Sequence, residues 1–128
     1  MNKVILLDDF GRALDRLEAS LLRSELDDLL RAGCIQYFEF TFELAWKTVK
    51  AFAEDAGLGD VGSPRSALRQ AFKQGWIADE EGWLAMLEAR NRMAHTYEAS
   101  QALAIYGQLG EFSLHLRQLH SALVSDKG

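Results

Sequence analysis

The sequence predicts an all-α fold of four long helices and one additional short helix. Three observations carry this. Leu and Ala, strong helix formers, number 20 and 17 against 4 Val, 4 Ile and 3 Thr. The chain holds a single Pro. Apolar residues recur at alternating steps of three and four through most of its length. At 128 residues this is one domain's worth of chain, and 48% hydrophobic against 26% charged residues is ordinary globular composition. We expect one domain over 1–128, with loosely ordered tails at 1–7 and 125–128.

Asp8 and Asp9 are N-cap candidates for a first helix carrying Phe10, Leu14, Leu17 and Leu21, then Leu22, Leu26, Leu29 and Leu30. It is expected to run to about Ala32, with Gly33 as the break. A second helix, about Cys34 to Ala56, bears the seam Ile35, Phe38, Phe42, Ala45, Val49, Phe52 and Ala56. Tyr37, Phe40, Leu44 and Trp46 lie outside that seam, so this helix needs more than one neighbour, and a second copy of the chain is one way to supply it. Glycines at 57, 59 and 62 mark a loop. Ser63 and Pro64 then open a short helix, Ser as N-cap and Pro where its missing N–H costs nothing, ending near Gly75. Asp79 caps a fourth helix running towards Tyr97. The last helix starts at Ala99 or Ser100 with the seam Ala102, Ile105, Leu109, Phe112, Leu116, Leu119 and Leu123, and its Gly107 and Gly110 are expected to admit a close neighbour.

A formal net charge of -5 excludes a chain whose whole surface grips polyanions, so any RNA contact must be local and DNA is not expected as a partner. No apolar run approaches the roughly 20 residues that span a bilayer, so no membrane partner is expected. One lone cysteine, Cys34, and an N-terminus that meets Asp8 and Asp9 too early for a signal peptide point to the cytoplasm. His115 and His120 are five apart on one helix, and no Cys or carboxylate spacing completes a metal site. No phosphate-cradling glycine motif is present, and no cofactor is expected. Core or dimer packing accounts for Trp46, Trp76 and Trp83.

The fourth helix interrupts its own apolar stripe. Trp83, Met86 and Leu87 are followed on the same side by Arg90, Asn91, Ala94, His95 and Tyr97. Polar groups cost free energy when buried unpaired, so they are paired or face a cleft. At 100° per residue Asn91 shares a face with His95 and Arg90 with Tyr97, whereas Arg90 and His95 are about 140° apart and about 7.5 Å along the axis. Spacing alone does not align that pair. The length of the Arg side chain, unwinding near Thr96, or a cleft shared with a symmetry mate would each bring them together.

The run Arg90-Asn91-Arg92-Met93-Ala94-His95-Thr96-Tyr97 resembles the Arg-x4-His-x-Tyr signature of HEPN proteins. Phe38 to Lys47, Ser63-Pro64-Arg65 and Ala71 to Gly75 resemble the nucleotidyltransferase substrate-binding branch of that superfamily. The resemblance implies an up-and-down four-helix bundle with one additional short helix that forms a homodimer and places Arg and His of each protomer in a shared cleft, with Tyr37 to Trp46 in dimer or core packing, and a minimal nucleotidyltransferase as partner. It implies a metal-independent endoribonuclease toxin in which His95 is the base, Arg90 holds phosphate, Asn91 orients His95, Arg92 adds local positive charge for the substrate, and Tyr97 receives AMP from the partner. The alternative is a non-catalytic nucleotide- or substrate-binding subunit of a two-component nucleotidyltransferase.

Overall fold

The computed structural model describes residues 2–23, 27–59, 61–95 and 98–126, with residues 94 and 95 by backbone only. Among these, the regular elements are five helices: α1 (Lys3–Leu21), α2 (Asp28–Asp55), α3 (Pro64–Lys73), α4 (Glu80–His95) and α5 (Ala99–Asp126).

α1 starts earlier than the sequence suggested. Asn2 caps it, its side chain accepting from the Val4 and Ile5 amides at 2.8 and 3.4 Å, which satisfies donors that have no partner within the helix. Leu6 and Leu7 are therefore buried core residues rather than part of a tail. At the other end, α5 continues through residues 125 and 126, and residues 127 and 128 lie outside the described segments. The single helix expected up to Ala32 is in fact two. α1 closes at Leu22, and Asp27 opens α2 by accepting from the Leu30 amide at 2.8 Å. The leucine pattern misled because Leu22 and Leu29 are 86% and 82% exposed, so their spacing recorded no core face. Gly33 lies inside α2 and does not end it.

The later elements begin where their caps predict. Ser63 and Ser66 form a reciprocal capping box with Pro64 in the first turn of α3, and the chain leaves through Gly75 at φ +76°. Asp79 accepts from the Gly82 amide at 3.0 Å to open α4. Every seam residue of α5 is buried, and so are those of α2 except Ala56, the exposed C-cap.

α1, α2 and α5 share one core, with α3 against α2 and α4, and α4 against α5. Their directions alternate. Lys3 at the start of α1 meets Asp55 at the end of α2 at 2.8 Å, while His120 near the end of α5 lies 3.3 Å from the Leu7 carbonyl. α4 brings Gly82 against His115 in the second half of α5 and ends where α5 begins, so that pair is also antiparallel. Phe38 stacks on Phe112 at a centroid distance of 5.4 Å, joining α2 to α5 at the centre, and Phe42 meets Trp83 of α4 at 6.3 Å. Trp76 and Trp83 belong to the core and Trp46 is partly buried against it. Cys34 is wholly buried and packs as a small apolar side chain. No part of the described chain is the close neighbour expected at Gly107 and Gly110: a Cβ at either would meet nothing within 4 Å among the described residues.

Candidate functional site

Arg90 sits on α4 one helical turn beyond the buried residues Met86 and Leu87, where the apolar stripe of that helix reaches the surface. Its guanidinium is fixed at two points. Nη2 donates to Glu43 Oε2 of α2 at 2.7 Å, and Nη1 donates to Asn91 Oδ1 at 3.0 Å. Arg90 and Glu43 are each about two-thirds buried, at 28% and 34% side-chain exposure. A guanidinium has five N–H groups; among the described residues one goes to Glu43 and one to Asn91, which leaves three. Three N–H groups are enough to bind a phosphate or carboxylate in a fork.

The acceptor side of the site comes from α2. Glu39, Glu43 and Lys47 recur every four residues and so share one face of the helix. Lys47 Nζ lies 3.8 Å from Glu43 Oε1, so Glu43 stands between two cations. Glu39 lines a 180 Å³ hollow with Ala32, Ile35, Gln36 and Met93, the last contributed by α4. Burial pushes the Glu39 carboxyl above the usual range, and the positive charge of Arg90 partly offsets this.

Of the residues singled out from sequence, Arg90 and Asn91 are brought into direct contact. Asn91, expected to orient His95, accepts from Arg90 through its carboxamide oxygen, and its relation to the His95 side chain lies outside the described residues. Arg92 is exposed and forms no ion pair among the described residues. His95 closes α4 with its backbone, while its side chain and all of Tyr97 lie outside the described residues. Sequence reasoning missed the anchoring role of Glu43 and the position of Glu39. The four-residue repeat of Glu39, Glu43 and Lys47 was the available signal, but nothing in it indicates that Arg90, 47 positions further on, is the partner.

Among the described residues no three His, Cys, Asp or Glu side chains converge as a metal site, and no helix is long and apolar enough to cross a membrane.

Residues 6–125 match the family described as nucleotidyltransferase substrate binding protein like. A Haemophilus influenzae protein described as "probable ribonuclease HepT" is 35% identical over 102 residues, which is 77% of this chain and 70% of that protein. A solved structure from Thermus thermophilus superposes with a TM-score of 0.82 at 28% identity, covering 89% of this chain and 98% of that one. A Haemophilus influenzae structure described as the substrate-binding domain of a nucleotidyltransferase superposes at 0.79 with 30% identity, covering 91% and 98%. The helix that carries Arg90 and the helix that anchors it both lie inside the matched residues, and the chain belongs to the nucleotidyltransferase substrate-binding protein family of the HEPN superfamily, as its motif blocks anticipated.

Proposed function

We propose that this protein is the HEPN-type subunit of a nucleotidyltransferase/HEPN toxin–antitoxin module and a metal-independent endoribonuclease. The observation that carries this is Arg90: a guanidinium held in place by Glu43 and Asn91, with three N–H groups left over among the described residues, at the surface end of an apolar stripe. Two comparisons support the reading. The relative described as "probable ribonuclease HepT" spans most of the chain, and a toxin–antitoxin complex of MntA with HepT has the same fold at TM-score 0.78 and 15% identity.

In this mechanism neutral His95 takes the proton of a ribose 2′-hydroxyl as the oxygen attacks the adjacent phosphate, a step to which a positioned base contributes about 10²- to 10⁴-fold. The 5′-oxygen of the next nucleotide leaves and is protonated, giving a 2′,3′-cyclic phosphate. The three remaining N–H groups of Arg90 bind the non-bridging oxygens and stabilise charge gained in the transition state. Glu43 and Asn91 hold the planar fork in one orientation, a geometry that a lysine point charge does not offer. Arg92 adds positive charge beside the cleft in an otherwise acidic chain. The partner restrains the toxin by transferring AMP from ATP to Tyr97: the phenolic oxygen attacks the α-phosphate, pyrophosphate leaves and the phenolic proton is lost. The bulky anion that results repels and occludes RNA. The protein works as a cytoplasmic homodimer whose two protomers share the cleft.

The competing reading, a non-catalytic nucleotide- or substrate-binding subunit, draws on the family's description and on the neighbour described as a substrate-binding domain. Incubating purified wild type and His95→Ala with total RNA in chelator separates the two. Cleavage by wild type alone, leaving 2′,3′-cyclic phosphate ends, is the expected result. Absence of cleavage by unmodified wild type would transfer the site to nucleotide binding.

A further inference from the structure

α3 is the only helix of the five that carries cations and no acid. Its ten residues include Arg65, Arg69 and Lys73, in a chain of formal net charge -5. The three recur every four residues, so they follow one another along one side of the helix at about 6 Å intervals. All three are exposed, and none pairs with a carboxylate among the described residues, whereas Lys3, Lys47, Lys50, Arg90 and Arg117 all do. Phe72 lies on the same side and is 44% exposed. The opposite side, Ala67, Leu68 and Ala71, is buried, and the Ser63–Ser66 capping box fixes the first turn. The cations therefore stand on a rigid platform. Nothing in the Arg90 site uses them, although Ser63-Pro64-Arg65 and Ala71 to Gly75 are two of the blocks that mark the family.

We propose that the outward face of α3, formed by Arg65, Arg69, Lys73 and the ring of Phe72, binds the backbone of single-stranded RNA and leads it to the Arg90 cleft. This rests on the ribonuclease reading above and names where its substrate is held. Charge complementarity selects a polyanion. The exposed aromatic ring among the cations selects a single strand, because an unpaired base stacks on it while phosphates meet the guanidinium and ammonium groups. An acidic protein surface would pair with the cations but has no counterpart for the ring. The surface also leads towards the cleft: α3 packs on both α2 and α4, the two helices that supply Glu43 and Arg90, and Arg90 lies about 15 Å along α4 from its start. A few nucleotides of extended strand reach from one to the other.

The test uses the full chain carrying His95→Ala, so that a fluorescein-labelled single-stranded RNA of mixed sequence stays intact while binding is read by anisotropy over a salt series. Replacing Arg65, Arg69 and Lys73 together by Gln is expected to weaken binding at least tenfold and to flatten the plot of log affinity against log salt by about 0.7 for each phosphate no longer neutralised. Phe72→Ala is expected to weaken binding about fivefold or more while leaving the salt slope unchanged, since stacking releases no counterions. Unchanged affinity and slope in the triple variant overturn the proposal, as does unchanged RNA binding accompanied by failure to capture the nucleotidyltransferase, which would make α3 a protein-docking face. The two readings fail separately. Wild type that binds RNA through α3 without cutting it removes the ribonuclease, and wild type that cuts RNA while the triple variant binds normally removes the α3 surface.

Discussion

At the residue scale, the Arg90–Glu43 pair affects function and stability very differently. Both side chains are about one-third exposed, so the pair contributes no more than about 1 kcal/mol to folding, as ion pairs in contact with solvent generally do. On the proposed ribonuclease reading its value lies in orientation, because a fork turned away from the phosphate is of little use in the transition state. Glu43→Ala is accordingly expected to lower RNA cleavage by about ten- to a hundredfold with little change in melting temperature, and Glu43→Gln, which keeps an oxygen acceptor, to lose less. Cleavage by Glu43→Ala at the wild-type rate would show that Arg90 needs no anchor. His120 has a purely structural role. It lies between Phe10, edge to face at 5.3 Å, and the Leu7 carbonyl, and burial holds its pKa below the ordinary value, helped by the nearby charge of Arg117 and opposed by the Leu7 carbonyl, Asp15 and Asp8. A histidine whose folded pKa is depressed stabilises the fold fully above the unfolded value of about 6.5 and loses that contribution as pH falls below it. Thermal midpoints are therefore expected to drop on acidification from pH 7 to 5.5, and His120→Gln to flatten that part of the profile.

At the element scale, glycines within two helices have opposite meanings. A Cβ at Gly82 would come within 2.7 Å of His115 Nε2 and 2.8 Å of Asp79 Oδ2, the carboxylate that caps α4. The gain of about 1 kcal/mol from better helix propensity is then outweighed by loss of the cap, itself worth about 1 kcal/mol, and by displacement of a largely buried ring. Gly82→Ala is expected to destabilise by about 1–2 kcal/mol in urea unfolding, and Gly107→Ala, which meets open space, to stabilise by up to about 1 kcal/mol. The same contrast explains what the sequence revealed of the elements. Asn2 and Asp27 cap α1 and α2 with their side chains and were not singled out as caps, whereas those at Ser63 and Asp79 were legible. The α1–α2 boundary was not, because exposed Leu22 and Leu29 continued an apolar rhythm that no packing supports. The site was legible where chemistry breaks a pattern: Arg90 and Asn91 stood out on an apolar stripe. Glu43 did not, since a charged residue on a helix next to lysines looks like a solvated face until the fold brings α4 against it.

At the scale of the whole molecule, the outer side of α2 is only partly covered by its own chain. Tyr37, Phe40 and Leu44 follow one another at helical spacing along the margin of the face that α2 turns to the core. Leu44 and Tyr37 are partly covered by their own chain, while Phe40 is 54% exposed. With Phe40 about half exposed, the second neighbour that the sequence called for is only partly provided among the described residues. Glu43, which anchors Arg90, lies between Phe40 and Leu44 in sequence and one turn from Glu39, so a second copy docked on this side would border the Arg90 site and set its shape. A symmetric contact of this kind is self-complementary, and one substitution acts on both halves of it. If the proposed homodimer forms through this side, Phe40→Glu is expected to give a monomer by light scattering, to leave helical content by circular dichroism unchanged, and to reduce the proposed RNA cleavage at least tenfold. Two inactive proteins then test whether the cleft is shared: if Arg90 of one protomer works with His95 of the other, mixing Arg90→Ala with His95→Ala restores cleavage in the heterodimer. If each protomer is self-contained, the mixture stays as inactive as its components, and the homodimer only supports a site that one chain completes.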